Sequence, residues 1–478
     1  MRRLSLVLAT AAAFGAPAVL HAHGGLKSSA PAANARVERP PRTLVLTFND
    51  ASPLSVTRVR LVGGDSVGVP LGALAHLEGS NERTVHVDVT GRLEAGTYAV
   101  EWQTAGEDGH PVRGRFTFVV LTGDPPEIAP AAAPTVPATP QAGASNGPSS
   151  ASFDASSPAY VLVRWVTFLA LVVLLGVVVF STGVLRAVAQ HAAALVPAEA
   201  IEDATRRTLD LGRVAILTLA LATVARLAAQ AYALFDADAL DLRLIGNLIG
   251  GTTWGGGWLL QAGGVAGAWV ALRAAQKRRA YGWPLLTLAV IALAATPALA
   301  GHASAVGDGS KVAVFADTLH VIGAGGWIGT LVLLAWAGIP AVWALGDERR
   351  FDALGTLVRA FSPVALVFSG VLLLTGAYAA WIHLGSIPAL WESGYGRTLA
   401  LKLIVLSGVT ATGWYNWKRV TPRLGTAAGG QLLRRTATVE IAIAVLVLLV
   451  TAVLVATPTP VDMSSMPASE EVTTSPTG

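Results

Sequence analysis

The chain has 478 residues, 53% of them hydrophobic and only 13% charged, where an ordinary soluble domain carries about 25% charged residues. Its net charge of +4 is small, and the basic residues sit at the ends of apolar runs rather than in a patch, which gives nucleic-acid binding no support. The absence of cysteine excludes disulfides, thiolate metal sites and iron–sulfur ligation, so any metal must be held by the nine histidines, carboxylates, three methionines or backbone groups.

In chain order, residues 1–22 have the parts of a secretory leader: Arg2 and Arg3, an apolar core from Leu4 to Leu20, and the small Ala22 at the expected cut. The two arginines lie too close to Met1, and lack the following motif, for the twin-arginine route. A Sec-type signal is expected, with an uncleaved helical anchor as the alternative. Cleavage after Ala22 makes His23 the new N-terminus. Residues 23–121 alternate apolar and polar positions over Thr43–Phe48, Val56–Val62, Thr84–Val89, Gly96–Trp102 and Gly114–Val120, several of them separated by Gly, Pro, Asn or Asp. The pattern predicts an antiparallel β-sandwich, immunoglobulin-like or cupredoxin-like. Residues 122–157, rich in Pro, Ala, Ser and Gly, bury no core and read as an extended tether.

Residues 158–458 are apolar and helical. Eight stretches are long enough for a hydrocarbon layer about 30 Å thick: 160–186, 209–234, 248–272, 283–301, 312–345, 357–384, 398–417 and 436–457. This predicts an all-α polytopic membrane bundle. The third stretch is Gly-rich and its outer boundary the least defined; the fifth is overlong and holds Pro340, where its inner end is expected to bend. With the β-domain exported, Arg206, Arg207, Arg273, Lys277, Arg349, Arg350, Lys418 and Arg419 fall in inward loops, and Asp236, Asp238, Asp241, Asp308 and Glu392 in outward ones. The positive-inside rule and the leader therefore give one topology. The polar tail 459–478 then faces outward.

Histidine is the residue type to follow. His23 at a new N-terminus would offer an α-amino nitrogen, backbone and imidazole, a nitrogen set that suits tetragonal Cu(II). Glu107–Pro111 is a turn sequence that sets Asp108 and His110 two residues apart; an ordinary turn is the bland alternative. In the bundle, ionisable residues are costly and each asks for a reason. His302 lies at the outer end of the fourth stretch. Asp317 and His320 lie one to two turns inside the fifth, on one helical face at i, i+3 spacing, and His383 lies at the outer end of the sixth. All gather toward the exported side, whereas His191 sits in an inward loop. The clustering points to a metal-receiving site at the outer mouth, with interfacial placement the alternative for His302 and His383. Arg226 and Gln230 on the second stretch and Lys402 on the seventh have structural readings, and Arg226 or Lys402 can neutralise Asp317. Glu440 on the eighth fits an inner exit or a salt bridge to Arg434 or Arg435. Met463 and Met466 in the tail offer two thioethers three residues apart, a thin signal for Cu(I).

His23–Pro31, Leu44–Phe48, Tyr98–Trp102 and Asp108–Phe118 together resemble the periplasmic copper-binding CopC family in order and spacing. The resemblance implies that His23, Asp108 and His110 hold Cu(II), with Asp50 similar in place to a weaker acidic contributor. A Met-rich Cu(I) site found in some members has no counterpart here. His76 and His86 match nothing in the family and are expected to be exposed strand residues. Gly301–Ala303, Asp317–His320 leading into Gly325–Gly329, Ser369 to Gly376, Tyr395–Lys402 and Val439-Glu440 are similar to the CopD family of copper-resistance and copper-uptake membrane proteins. That likeness is best from the fourth stretch onward; the first three match mainly in hydropathy.

The resemblances imply a non-enzymatic copper-homeostasis protein. Copper is the cargo, the bilayer its setting, and a periplasmic or cytoplasmic copper chaperone a possible partner. Two other classes remain open: a haem-binding membrane oxidoreductase or cupric reductase using His302, His320 and His383 as axial ligands, and a non-transporting copper buffer or sensor. No P-loop signature supports direct ATP coupling.

Overall fold

The computed structural model describes residues 25–64, 67–105, 111–122, 157–299, 310–424, 426–457 and 459–460. The leader, His23, Asp108, His110, nearly all of the tether, His302, Met463 and Met466 lie outside these. The chain divides into two compact units.

The first unit is built of strands. Among the described residues they are β1 (Leu26–Ala30), β2 (Arg36–Val37), β3 (Thr43–Phe48), β4 (Arg58–Val62), β5 (Gly68–Val69), β6 (Ala75–His76), β7 (Thr84–Asp88), β8 (Gly96–Ala105) and β9 (Pro111–Val120). One sheet runs β1-β3-β7-β6 and the other β2-β9-β8-β4-β5. The pairing in the first sheet is antiparallel, and β2 adds a short parallel pair at the edge of the second. Alternation decides which side is buried: in β3, Leu44, Leu46 and Phe48 point inward while their neighbours do not. Phe48 of one sheet meets Trp102 of the other edge to face, 5.2 Å between ring centroids, and Tyr98 stacks on Phe118. Aromatic contact between sheets closes a sandwich core. The Tyr98 hydroxyl pins its corner by bonding both the amide and the carbonyl of Glu94. The expected strands are present. β1, β2, β5 and β6, of two to five residues, carry too little alternation to be read beforehand.

The second unit is helical: α1 (Pro158–His191), α2 (Ala198–Phe235), α3 (Leu242–Gly250), α4 (Thr253–Gln276), α5 (Gly282–Leu299), α6 (Lys311–Trp343), α7 (Asp347–Leu384), α8 (Gly394–Arg423) and α9 (Ala427–Leu454). Short polar residues start several of them. Ser157, Thr252, Ser393 and Thr426 each accept a bond from an amide in the first turn, satisfying a donor the helix leaves free. The Thr252 cap also explains the third expected stretch, 248–272. It begins in α3, breaks at Gly251 and continues as α4.

Among the described residues seven helices are long and apolar enough to cross a membrane. α4 is long enough but is diluted by six glycines and Gln261, so it falls short on apolarity. The overlong fifth stretch is one helix, α6, containing two wide turns of i→i+5 type at Gly325–Gly329 and Leu334–Gly338. Pro340 sits in the first turn of the segment after the second of these, where its missing N–H is absorbed. α1 and α6 form the centre of the bundle. A Cβ on Gly329 would stand 2.1 Å from the Val172 carbonyl, and one on Gly176 would stand 2.3 Å from the Gly329 backbone. Only glycine permits that crossing.

Candidate functional site

Asp317 and His320 stand about two turns into α6, and α7 packs alongside. The His320 Nδ1 atom lies 3.0 Å from Thr375 Oγ1 of α7. Thr375 gives its own proton to the Val371 carbonyl at 2.7 Å, so the imidazole is the donor in this contact. That places the ring proton on Nδ1 and a lone pair on Nε2, the tautomer through which histidine takes a metal. Gly376 makes room for the ring: a Cβ there would meet His320 Cε1 at 3.1 Å.

Asp317 lines a small pocket with Ala313 and Ala316 of its own helix and with Tyr378, Ala379, Ile382 and His383 of α7. The charges that act on its carboxylate belong to His383 and to Lys402 of α8. His383 also stacks edge to face with Tyr395, 6.1 Å between ring centroids. Three helices therefore bring an imidazole, a carboxylate, a second imidazole and an ammonium to one end of the bundle. Nitrogen and oxygen donors of this kind suit a borderline divalent metal better than a soft monovalent one.

Of the expected membrane residues, the structure brings Asp317 and His383 to one pocket and turns His320 toward Thr375. No group of three or more His, Cys, Asp or Glu residues with metal-holding geometry occurs among the described residues. The charge of Lys402 acts on Asp317, whereas Arg226 is engaged elsewhere. Arg226 instead donates to Gln261 at 2.9 Å and lies over the Trp254 ring, and Gln261 donates in turn to Thr223. This buried polar chain ties α2 to α4 and gives Arg226 a structural role. Gln230 accepts from the Tyr160 hydroxyl. Glu440 takes its hydrogen bond from Asn416 rather than pairing with Arg434 or Arg435. In the sandwich, His76 and His86 are half-buried rather than exposed. His76 Nε2 bonds the Ser52 carbonyl at 2.9 Å, and His86 Nδ1 is buried without a partner. Thr375, Gly376 and Tyr378 were not singled out as site residues from the sequence. Their only signal was that the first two belong to the Ser369 to Gly376 segment of the CopD resemblance.

A β-sandwich followed by membrane-length helices, with histidine and carboxylate set at bilayer depth, defines a multi-pass membrane protein of the metal-handling class. Residues 26–121 match the CopC domain, residues 154–313 the copper resistance protein D-like N-terminal domain, and residues 355–454 copper resistance protein D. The first three helices, similar to the family mainly in hydropathy, fall inside the second segment; Asp317 and His320 fall between the second and third. Copper transport protein CutJ of Bacillus subtilis is 25% identical over 393 residues, covering 81% of this chain and 66% of CutJ, slightly under two thirds of that relative's length. Copper resistance protein C of Pseudomonas syringae pv. tomato is 30% identical over 124 residues, covering 25% of this chain and 98% of that protein. The crystal structure of PcoC, a methionine-rich copper resistance protein from Escherichia coli, matches at 30% identity over 21% of this chain and 99% of that one, with a TM-score of 0.19. The chain belongs to the copper resistance protein C family through its CopC domain, which CopD-type membrane domains follow.

Proposed function

We propose that this protein imports copper across the bacterial inner membrane. Cu(II) is captured on the exported domain by His23, Asp108 and His110. It is handed to the outer mouth of the bundle, where His302, Asp317, His320 and His383 receive it, and it leaves on the cytoplasmic side to a copper chaperone. Met463 and Met466 add a minor contact in the outward tail. The tether of 122–157 keeps donor and acceptor at an effective concentration on the order of millimolar, which replaces a bimolecular encounter.

The observation that carries this reading is a pocket between α6 and α7 that holds Asp317 and His383 within an apolar bundle. With its Nδ1 proton engaged by Thr375, His320 would offer Nε2 to a ligand, and Asp317 shares its pocket with His383. Lys402 offsets the carboxylate while the pocket is empty, and incoming copper takes over that role. Family membership supports copper as the cargo. Reconstituted vesicles loaded from the β-domain side test the idea. Copper should accumulate inside and be released only by breaking the membrane. Binding to the outer surface without accumulation would identify a buffer instead, and a haem absorbance band in the purified protein would identify a redox enzyme.

A further inference from the structure

Glu440, on the fourth turn of α9, is only 6% exposed. It accepts at Oε1 from Asn416 Nδ2 of α8 at 2.9 Å. Asn416 Oδ1, the other end of the same amide, is buried and has no partner. Several cations of α9 and of the helices packed against it are engaged elsewhere or exposed. Arg434 of α9 lies over Trp343, Lys418 of α8 over Trp417, Arg164 of α1 bonds the Ala452 carbonyl, and Arg359 of α7 bonds Thr356. Arg419 and Arg435 are exposed. Between His320 and Trp343, α6 has no ionisable side chain.

A carboxyl with no cation, beside an amide oxygen with no donor, lacks a single hydrogen. We propose that Glu440 and Asn416 form a proton-binding station inside the membrane domain. A proton taken up on the second carboxyl oxygen makes an O–H that donates to Asn416 Oδ1, while Asn416 Nδ2 donates to Oε1. Losing the proton leaves a charge in an apolar setting and orphans the amide oxygen again. The station lies 14 residues beyond Lys402 on the same helix, about 21 Å along its axis at 1.5 Å per residue. α8 thus presents polar chemistry at two depths, one whose charge acts on Asp317 and one far from it. For copper passage, which rests on the transport reading, proton binding at Glu440 would couple to movement of the cargo.

Infrared difference spectra of the full chain in lipid nanodiscs, stepped across about pH 5 to 9, read the carboxylic-acid C=O stretch. One acid band should be missing in E440Q and shifted in N416A, which keeps Glu440 and removes its amide partner. Identical acid-region spectra for wild type and E440Q would overturn the proposal. So would a band that N416A leaves unmoved, and this comparison decides alone if E440Q does not fold. Copper uptake is read in parallel: an acid band without uptake refutes the transport reading only, and uptake without the band refutes this one only.

Discussion

Replacing Thr375 by valine keeps the shape of the side chain but removes the acceptor for His320 Nδ1–H. A ring freed in this way is no longer held in one tautomer or orientation, and such supporting contacts are worth about 10–100-fold in metal affinity or activity. T375V is expected to lower copper uptake by that order while the amount of folded protein stays level, and T375S to restore it; uptake assays normalised to protein content check both. At this scale the sequence was legible where cost forces a reason. Asp317, His320 and His383 stand out because ionisable groups at bilayer depth are rare. Their partners were not legible. Thr375 is 55 residues from His320, and nothing local marks which of many threonines a helix–helix contact will select. For the same reason Lys402 and Arg226 looked equivalent as partners for Asp317 until packing sent Arg226 to Gln261.

The helices differ in how firmly they are held. Within their most apolar windows, α1 and α6 are 61% and 72% buried, whereas α7 and α8 are 17% and 11% buried. The pocket therefore has one wall on α6, a well-packed central helix, and the other on α7, which has few packing partners. Local opening follows few buried contacts, so amides of the outer turns of α7 and α8 should exchange with deuterium faster than those of α1 and α6; mass spectrometry in nanodiscs measures this, and equal protection would contradict it. The central crossing depends on absent side chains. G329A puts a methyl group into the Val172 carbonyl, and overpacking of this kind costs roughly 1–3 kcal/mol. Thermal unfolding in detergent should show a lower midpoint for G329A and little change for an alanine at Gly370, where a Cβ meets open space. Helix existence was legible from apolar run length, but several starts were not: α2, α7 and α9 begin at Ala198, Asp347 and Ala427, well before the expected stretches, because their polar or Gly-containing first turns carry no apolar signal. The wide turns inside α6 were not, because an i→i+5 turn arises from how neighbours pack against Gly325–Gly329 rather than from any residue preference. The glycines of α4 showed the opposite difficulty: they were visible in the sequence, but the break at Gly251 needed the Thr252 cap to place it.

Across the whole molecule, the topology rests on the leader and the positive-inside rule, and the absence of cysteine makes it directly testable. S386C, between α7 and α8, should react with a membrane-impermeant maleimide in intact spheroplasts, and G346C, between α6 and α7, only after permeabilisation; the reverse pattern would invert the transport direction. The central claim is that the pocket between α6 and α7 passes copper inward. Its most direct measurement is the copper content of cells expressing equal amounts of wild-type protein, H320A and D317N. The account predicts that accumulation in both variants falls to the level of cells lacking the protein. Wild-type accumulation in both would contradict it.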